Sequence, residues 1–213
     1  MTDTILTIIT GPMYSGKTTF LTNIYKKYKS IETIIFNHSI DNRYLDSNDG
    51  DLIIENDNSD DRFINSTNTN GFISSHDGIK INCIKVSESE QIYNKILEYK
   101  SLYYNIKNII IDECQFFTNI DIIIKKILHN CPEIINITCA GLNLDAKGNI
   151  FNQSFTKLFT IADNLNVLKS TCYKCGYQAQ YTICTTKNNL DENNIMVGSN
   201  NYYQPSCEKH LNY

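Results

Sequence analysis

A short β-branched run, Ile5-Leu6-Thr7-Ile8-Ile9-Thr10, ends in Gly11-Pro12-Met13-Tyr14-Ser15-Gly16-Lys17-Thr18. The octapeptide has the G-x-x-x-x-G-K-[ST] form of a phosphate loop, which requires a strand before it and a helix after it. Both are predicted: the apolar run reads as a buried strand, and a helix is expected from about Lys17 to Lys29. Glycines let such a loop curl until successive amide N–H groups converge on a phosphate, and the helix N-terminus adds partial positive charge. Lys17 would neutralise the β- and γ-phosphates, and the Thr18 hydroxyl would face the magnesium ion that bridges them. A nucleotide ligand is thus implied.

The rest of the chain continues the alternation that this opening demands. Strands are predicted at Ile31 to Phe36, Ile81 to Val86, Ile106 to Ile111 and Ile134 to Cys139. Helices are predicted from the Ser87-Glu88-Ser89-Glu90 start signal to about Tyr103, and from Asn119 to His129. Such an order points to an α/β core with a parallel sheet covered on both faces. From Cys172 onward the apolar runs shorten and a long loop is expected, so a boundary falls near Ser170, dividing the chain into 1–170 and 171–213. The stretch 46–70 is dense in Asn, Asp, Ser and Thr and reads as a polar surface insertion.

Composition narrows the setting. Apolar residues at 41% and charged residues at 20% are ordinary globular values, and no apolar run reaches the length of a membrane span. The N-terminus lacks the pattern of a secretory signal, so a soluble, cytoplasmic protein is expected. A net charge of −4 gives no overall pull toward nucleic acid.

Two further constellations carry chemistry. Asn108 to Ile111 ends in Asp112-Glu113, two carboxylates at the edge of a parallel sheet where ligands bind. Asp112 would hold magnesium, and Glu113 would accept a proton from the attacking hydroxyl. By itself the pair serves equally an ATPase that activates water and a kinase that activates an alcohol. Cys172-x-x-Cys175 and Cys207-x-x-His210 form two knuckle-spaced pairs, a closed ligand set for structural zinc. Cytosolic reductants make metal ligation a better reading than disulfides for such cysteines. The others, Cys83, Cys114, Cys131, Cys139 and Cys184, read as core or half-buried thiols, and His38, His76 and His129 receive no ligand role.

With these residues in view, the chain resembles the type II thymidine kinase family over most of its length. Gly11 to Thr18 is similar to that family's GPM[FY]SGK[ST]T loop, Asp41-Asn42-Arg43-Tyr44 to its D-x-R-Y, Ser75-His76-Asp77-Gly78 to its SHDG, and Asp112 to Phe117 to its DE-x-QFF. Ala140-Gly141-Leu142, Cys172-x-x-Cys175-Gly176, Val197-Gly198, Tyr203 and Cys207 continue the family order. The resemblance implies a RecA-like P-loop core with a small C-terminal zinc-binding lasso domain. It implies transfer of the γ-phosphate of ATP to the 5′-hydroxyl of thymidine, and of deoxyuridine as a second acceptor, in nucleotide salvage for DNA precursor synthesis.

The same resemblance assigns residues and partners. Glu113 is the implied base; Asp41, Asn42, Arg43, Asp112 and Gln115 join the phosphate loop around ATP. Phe116, Leu142, Ala146 and Phe151 surround the nucleoside, with Asn194, Ile195, Met196, Val197, Gly198 and Tyr203 from the lasso. A metal clip on a loop of about thirty residues lowers the cost of ordering it, and a closed lid keeps water from the phosphoryl group. A homotetramer inhibited by dTTP is also implied. The chain departs from the family at Asn143 and Ala146, where an Asp and an aromatic are usual, and in the length of the 46–70 insertion. Against this kinase stand two other readings: a P-loop ATPase using water, and a zinc-dependent nucleic-acid module resting on Tyr173, Tyr177, Tyr181, Tyr202 and Tyr203.

Overall fold

The computed structural model describes residues 4–28, 32–41, 71–74, 79–102, 104–185 and 202–211. Its centre is a seven-stranded sheet: β1 (Ile5–Thr10), β2 (Thr33–His38), β3 (Gly71–Ser74), β4 (Lys80–Val86), β5 (Asn108–Ile111), β6 (Asn136–Gly141) and β7 (Asn164–Val167), in spatial order β3-β4-β2-β5-β6-β1-β7. Every neighbouring pair is parallel except β3 with β4. The expected α/β core with a mostly parallel sheet is therefore present, with one antiparallel edge strand added. Because β4, β2, β5, β6, β1 and β7 run the same way, their C-terminal ends share one edge.

The strands are apolar on both faces, as a doubly covered sheet requires. Leu6, Ile8, Ile34, Phe36, Ile109, Ile111, Ile137 and Cys139 face the larger core, together with α2 (Ser89–Ser101), α3 (Ile120–Asn130) and α4 (Gln153–Lys157). The alternate positions Ile9, Ile35, Ile110 and Ala140 face a smaller core with Leu21 and Tyr25 of α1 (Lys17–Lys27). Period-two alternation thus sends each strand's residues to two separate helix layers.

Each helix has a sequence cause. In α2 the buried Ile92, Tyr93, Ile96 and Tyr99 recur at helical spacing. Its N-cap is Glu88, in a reciprocal capping box with Gln91, whose side chain accepts the N–H groups of Ser87 (2.9 Å) and Glu88 (3.1 Å). In α3 the β-branched Ile120, Ile123, Ile124 and Ile127 are all fully buried or nearly so, and tertiary burial outweighs their modest helix propensity. Each buried isoleucine contributes roughly 1.5–3 kcal/mol.

The described part of the C-terminal region consists of two small antiparallel ribbons, β8 (Ser170–Thr171) with β9 (Gln178–Ala179) and β10 (Tyr181–Cys184) with β11 (Tyr203–Ser206); residues 186–201, where the long loop is expected, lie outside the described residues. The insertion 46–70, the Ser75 to Gly78 motif with His76, and Asn194 to Gly198 lie outside the described residues. Among the described residues no helix is long and apolar enough to cross a membrane.

Candidate functional site

The parallel strands bring their C-terminal ends to one edge, and the chemistry collects there. Along that edge stand Lys85 at the end of β4, His38 and Asp41 after β2, Asp112 and Glu113 after β5, Gly141 and Leu142 at β6, and the phosphate loop after β1. One strand, β6, separates the loop from the two carboxylates.

The loop wraps the start of α1. Gly11 and Gly16 take positive φ angles of 142° and 85°, and Tyr14 takes 60°. A side chain at Gly11 would collide with the Leu168 carbonyl, so glycine is demanded there by close approach as well as by φ. The Lys17 ammonium rests on the loop's own Gly11 and Pro12 carbonyls at 3.0 and 2.7 Å. Among the described residues the buried Ser15 hydroxyl has no hydrogen-bond partner, an arrangement that suits a loop whose ligand would supply one. Thr18 Oγ1 donates to Asp112 Oδ2 at 3.4 Å across the sheet, so both side chains expected to hold magnesium face one point.

Glu113 also takes a left-handed conformation, φ 55°, in which its N–H donates to Asp112 Oδ1 at 2.9 Å. Left-handed backbone is costly for a residue with a side chain and tends to cluster where function requires it. Two of the three such non-glycine residues described, Tyr14 and Glu113, lie at this edge; the third is Asn119, at the start of α3. Gln115, buried at 2% exposure, donates from Nε2 to Glu113 Oε2 and accepts the Leu142 N–H at 2.9 Å. The glutamine expected around the phosphates is thus engaged between Glu113 and the β6 exit.

Of the residues expected around the nucleoside, two are in contact. Phe116 and Phe151 meet edge to face with centroids 5.5 Å apart. Phe151 sits at the base of a hairpin closed by its N–H to the Asn143 carbonyl, 3.0 Å, and by the Leu144–Ile150 bridge. Ala146 occupies the hairpin turn, which Asp145 fixes by accepting the N–H groups of Lys147 and Asn149. Asn152 ties this hairpin to the Glu113 side by donating to the carbonyls of Gln115 (2.9 Å) and Phe117 (3.0 Å) while capping α4.

Asp41 is nearly buried at 2% exposure and accepts from Asn37 Nδ2 at 2.9 Å; Asn42 and Arg43 lie outside the described residues. His38, given no role from sequence, stands beside the carboxylates. Its Nδ1 accepts the Ile40 N–H at 3.1 Å, which leaves Nε2 as donor to the Ser87 carbonyl at 3.0 Å. The ring packs on Phe117 (4.7 Å) and Phe116 (5.7 Å), and burial pushes its pKa below the ordinary 6.5.

At the C-terminal ribbons, Cys172, Cys175, Cys207 and His210 converge with their ligand atoms within 4.8 Å of one another. Cys172 Sγ and Cys207 Sγ lie 3.6 and 3.3 Å from His210 Nδ1, and Cys175 Sγ lies 3.6 Å from Cys207 Sγ. Ligands on a tetrahedral zinc are about 3.5–3.8 Å apart given the usual Zn–S and Zn–N lengths, so the four residues fit that ion. Burial opposes charge on Cys172, but the N–H groups of Cys207, Lys174 and Cys175 and the His210 ring outweigh it, bringing the thiol down to about 5. That lowering favours the thiolate, the form that binds metal.

Two residues given no site role from the sequence join these ribbons to the phosphate loop. Thr182 on β10 accepts the Met13 N–H at 2.9 Å, and the Ser170 hydroxyl donates to the Tyr14 carbonyl at 3.0 Å. Nothing local marks either residue, since both meet the loop only through the tertiary fold. Tyr203, expected at the nucleoside, pairs with Cys184 at the end of the β10–β11 ribbon where the two strands are joined in sequence.

The chain matches the model of the thymidine kinase family over residues 4–58 and 47–211. It is 34% identical to a thymidine kinase of Choristoneura fumiferana entomopoxvirus over 204 residues, 94% of this chain and 92% of that one. It is 31% identical to a thymidine kinase of Amsacta moorei entomopoxvirus, covering 94% and 93%. With a thymidine kinase of Mycoplasmoides gallisepticum the identity is 28%, covering 95% and 78%. A chain from the structure of a DnaB-like replicative helicase and its interactions with primase aligns at a TM-score of 0.45 and 13% identity, covering 78% of this chain and 47% of that one, too loosely to argue from. The family match and the viral relatives decide the matter: this chain belongs to the thymidine kinase family.

Proposed function

We propose that this kinase transfers the γ-phosphoryl group of ATP to the 5′-hydroxyl of thymidine, with deoxyuridine as a second acceptor, in nucleotide salvage. The observation that carries the reading is the meeting, at one sheet edge, of Lys17, Thr18 and Asp112 with a Glu113 pinned by Gln115. Gly11 to Thr18 and Asp112 bind and orient the triphosphate, with Asp41, Asn42 and Arg43 beside it. Thr18 and Asp112 hold magnesium, which when bound neutralises charge on the transferring phosphoryl group.

Glu113 takes the proton of the 5′-hydroxyl as that oxygen bonds to the γ-phosphorus and the bond from the phosphorus to the β-bridging oxygen breaks, giving dTMP and ADP. Gln115 positions this base and, through Leu142, the nucleoside wall of Phe116, Leu142, Ala146 and Phe151. Residues 171–213 form the zinc-tied lasso unit on the 1–170 core, and Asn194 to Gly198 with Tyr203 close over the base and exclude water. A cytoplasmic homotetramer inhibited by dTTP completes the reading, resting on the family resemblance.

The test is ATP consumption with magnesium, thymidine absent or present, in the native protein and in Glu113→Gln. Thymidine-dependent turnover that falls by roughly 10²–10⁴-fold in the variant is the expected result. Equal turnover without nucleoside would replace the kinase by an ATPase.

A further inference from the structure

The sequence reading leaves unused a lysine that the fold brings to the phosphate edge. Lys85 is the Cα partner of Asn37 across the parallel β4–β2 pair. Both continue the rows, Cys83 on β4 and Ile35 on β2, that face the smaller core under α1, and Asp112 continues the matching row beyond Ile110 on β5. Lys85, Asn37 and Asp112 therefore stand side by side on the face from which α1 presents Thr18.

Lys85 points into this edge and not into solvent: its side chain is only 9% exposed. Its ammonium donates to the Asp41 backbone carbonyl and lies 3.8 Å from Asp41 Oδ2. The same carboxylate oxygen takes the Asn37 amide, and the Asp41 N–H reaches the His38 carbonyl at 3.0 Å. Asp41 is thus gripped at side chain and backbone where the chain leaves β2 for Asn42 and Arg43.

Space for Lys85 is made by a neighbour. Gly71 on β3 has Lys85 lying over it, so that a Cβ there would come within 2.5 Å of Lys85 Cε and 2.7 Å of its Cγ. Those are atoms along the stem, and an alanine would have to displace the lysine as a whole.

We propose that Lys85 is a positioning residue of the phosphate site, holding Asp41 from β4 and offsetting one of two neighbouring carboxylates before a triphosphate arrives. A buried ammonium is tolerated only beside a compensating anion, and carboxylate charge on this edge opposes a polyanionic ligand. The inference rests on the reading that Asp41 serves the triphosphate.

Four variants of the full chain test it: Lys85→Met, Lys85→Arg, Gly71→Ala and Asp41→Asn. In steady-state assays with magnesium, Lys85→Met raises KM for ATP roughly tenfold while KM for thymidine moves less than about twofold. Gly71→Ala, which keeps the charge and moves it, gives a smaller rise of the same kind, and Lys85→Arg recovers part of the loss. Adding Lys85→Met to Asp41→Asn costs no more than Asp41→Asn alone. A native KM for ATP in both Lys85→Met and Gly71→Ala, or equal rises in the two KM values, overturns the proposal. If Lys85→Met does not fold, Gly71→Ala decides. Should the native protein not turn over ATP with thymidine, the kinase reading fails, and Mg-ATP titration of native and Gly71→Ala protein still decides for Lys85, equal affinities counting against it.

Discussion

The sheet edge and the C-terminal ribbons contribute to one candidate site but are held together by different physics. The edge stands on two apolar cores, the larger built by α2, α3 and α4 and the smaller by α1. Among the described residues, the ribbons bury an apolar cluster of Cys172, Ala179 and Cys207, two of which are candidate ligands, and Ile183 apart from it, while Tyr173 and Tyr177 stay exposed. Burial of that size cannot offset the ordering cost of several short strands. The first region is specified by hydrophobic alternation, the second by the four Cys/His side chains that could hold a metal.

Removing the metal should therefore break the comparison most sharply. A structural zinc of this kind contributes an apparent 10–16 kcal/mol or so, far beyond anything else the ribbons hold. Chelation, or Cys175→Ser, is expected to open residues 170–211 to protease and hydrogen exchange while β1, β5 and β6 stay protected, with kinase activity lost. Loss of protection across the central sheet as well, or none in the ribbons, would show that the two regions do not divide in this way.

The difference also explains what could be read in advance. The phosphate loop, the Asp112-Glu113 pair and the four Cys/His positions were legible because each is a local pattern whose spacing carries its chemistry. Strand β1 was legible to the residue, since a β-branched run between a polar start and Gly11 leaves little choice. β3 and β7 were not: Gly71-Phe72-Ile73-Ser74 and Asn164-Leu165-Asn166-Val167 are short edge strands with little apolar pattern, defined by the neighbour they pair with. For the same reason Lys85, His38, Thr182 and Ser170 carried no signal. Each meets the site only where strands distant in sequence end side by side.

A smaller effect should appear at the seam. Met13 donates to Thr182 and Tyr14 accepts from Ser170, so the ribbons brace two peptides of the phosphate loop. Thr182→Val preserves shape and removes the acceptor, a loss of about 1 kcal/mol. Expressed in nucleotide binding, that is roughly a fivefold rise in KM for ATP. Zinc content should be unchanged, which separates a fault in the seam from a fault in the metal centre. An unchanged KM for ATP would mean that the loop holds its shape without the ribbons.

The smallest expected effect tests the sheet edge through His38. Its Nδ1 accepts the Ile40 N–H, which only the neutral ring can do. Burial lowers its pKa from the ordinary 6.5, against the opposing pulls of the Ser87 carbonyl, Glu113 and Asp41, with Lys85 adding to the lowering. Because the folded pKa is depressed, the unfolded chain binds more protons as pH falls through this range. The contribution of His38 is thus complete above about pH 6.5 and is lost as pH drops toward the folded pKa. The ring is only half buried, so the loss should be smaller than that at Thr182. Melting temperatures from pH 8 to pH 5 should decline less steeply in His38→Asn, whose side-chain oxygen can accept the N–H two residues on without titrating. Parallel curves for the two proteins would mean that the acid sensitivity of the edge comes from its carboxylates and not from this ring.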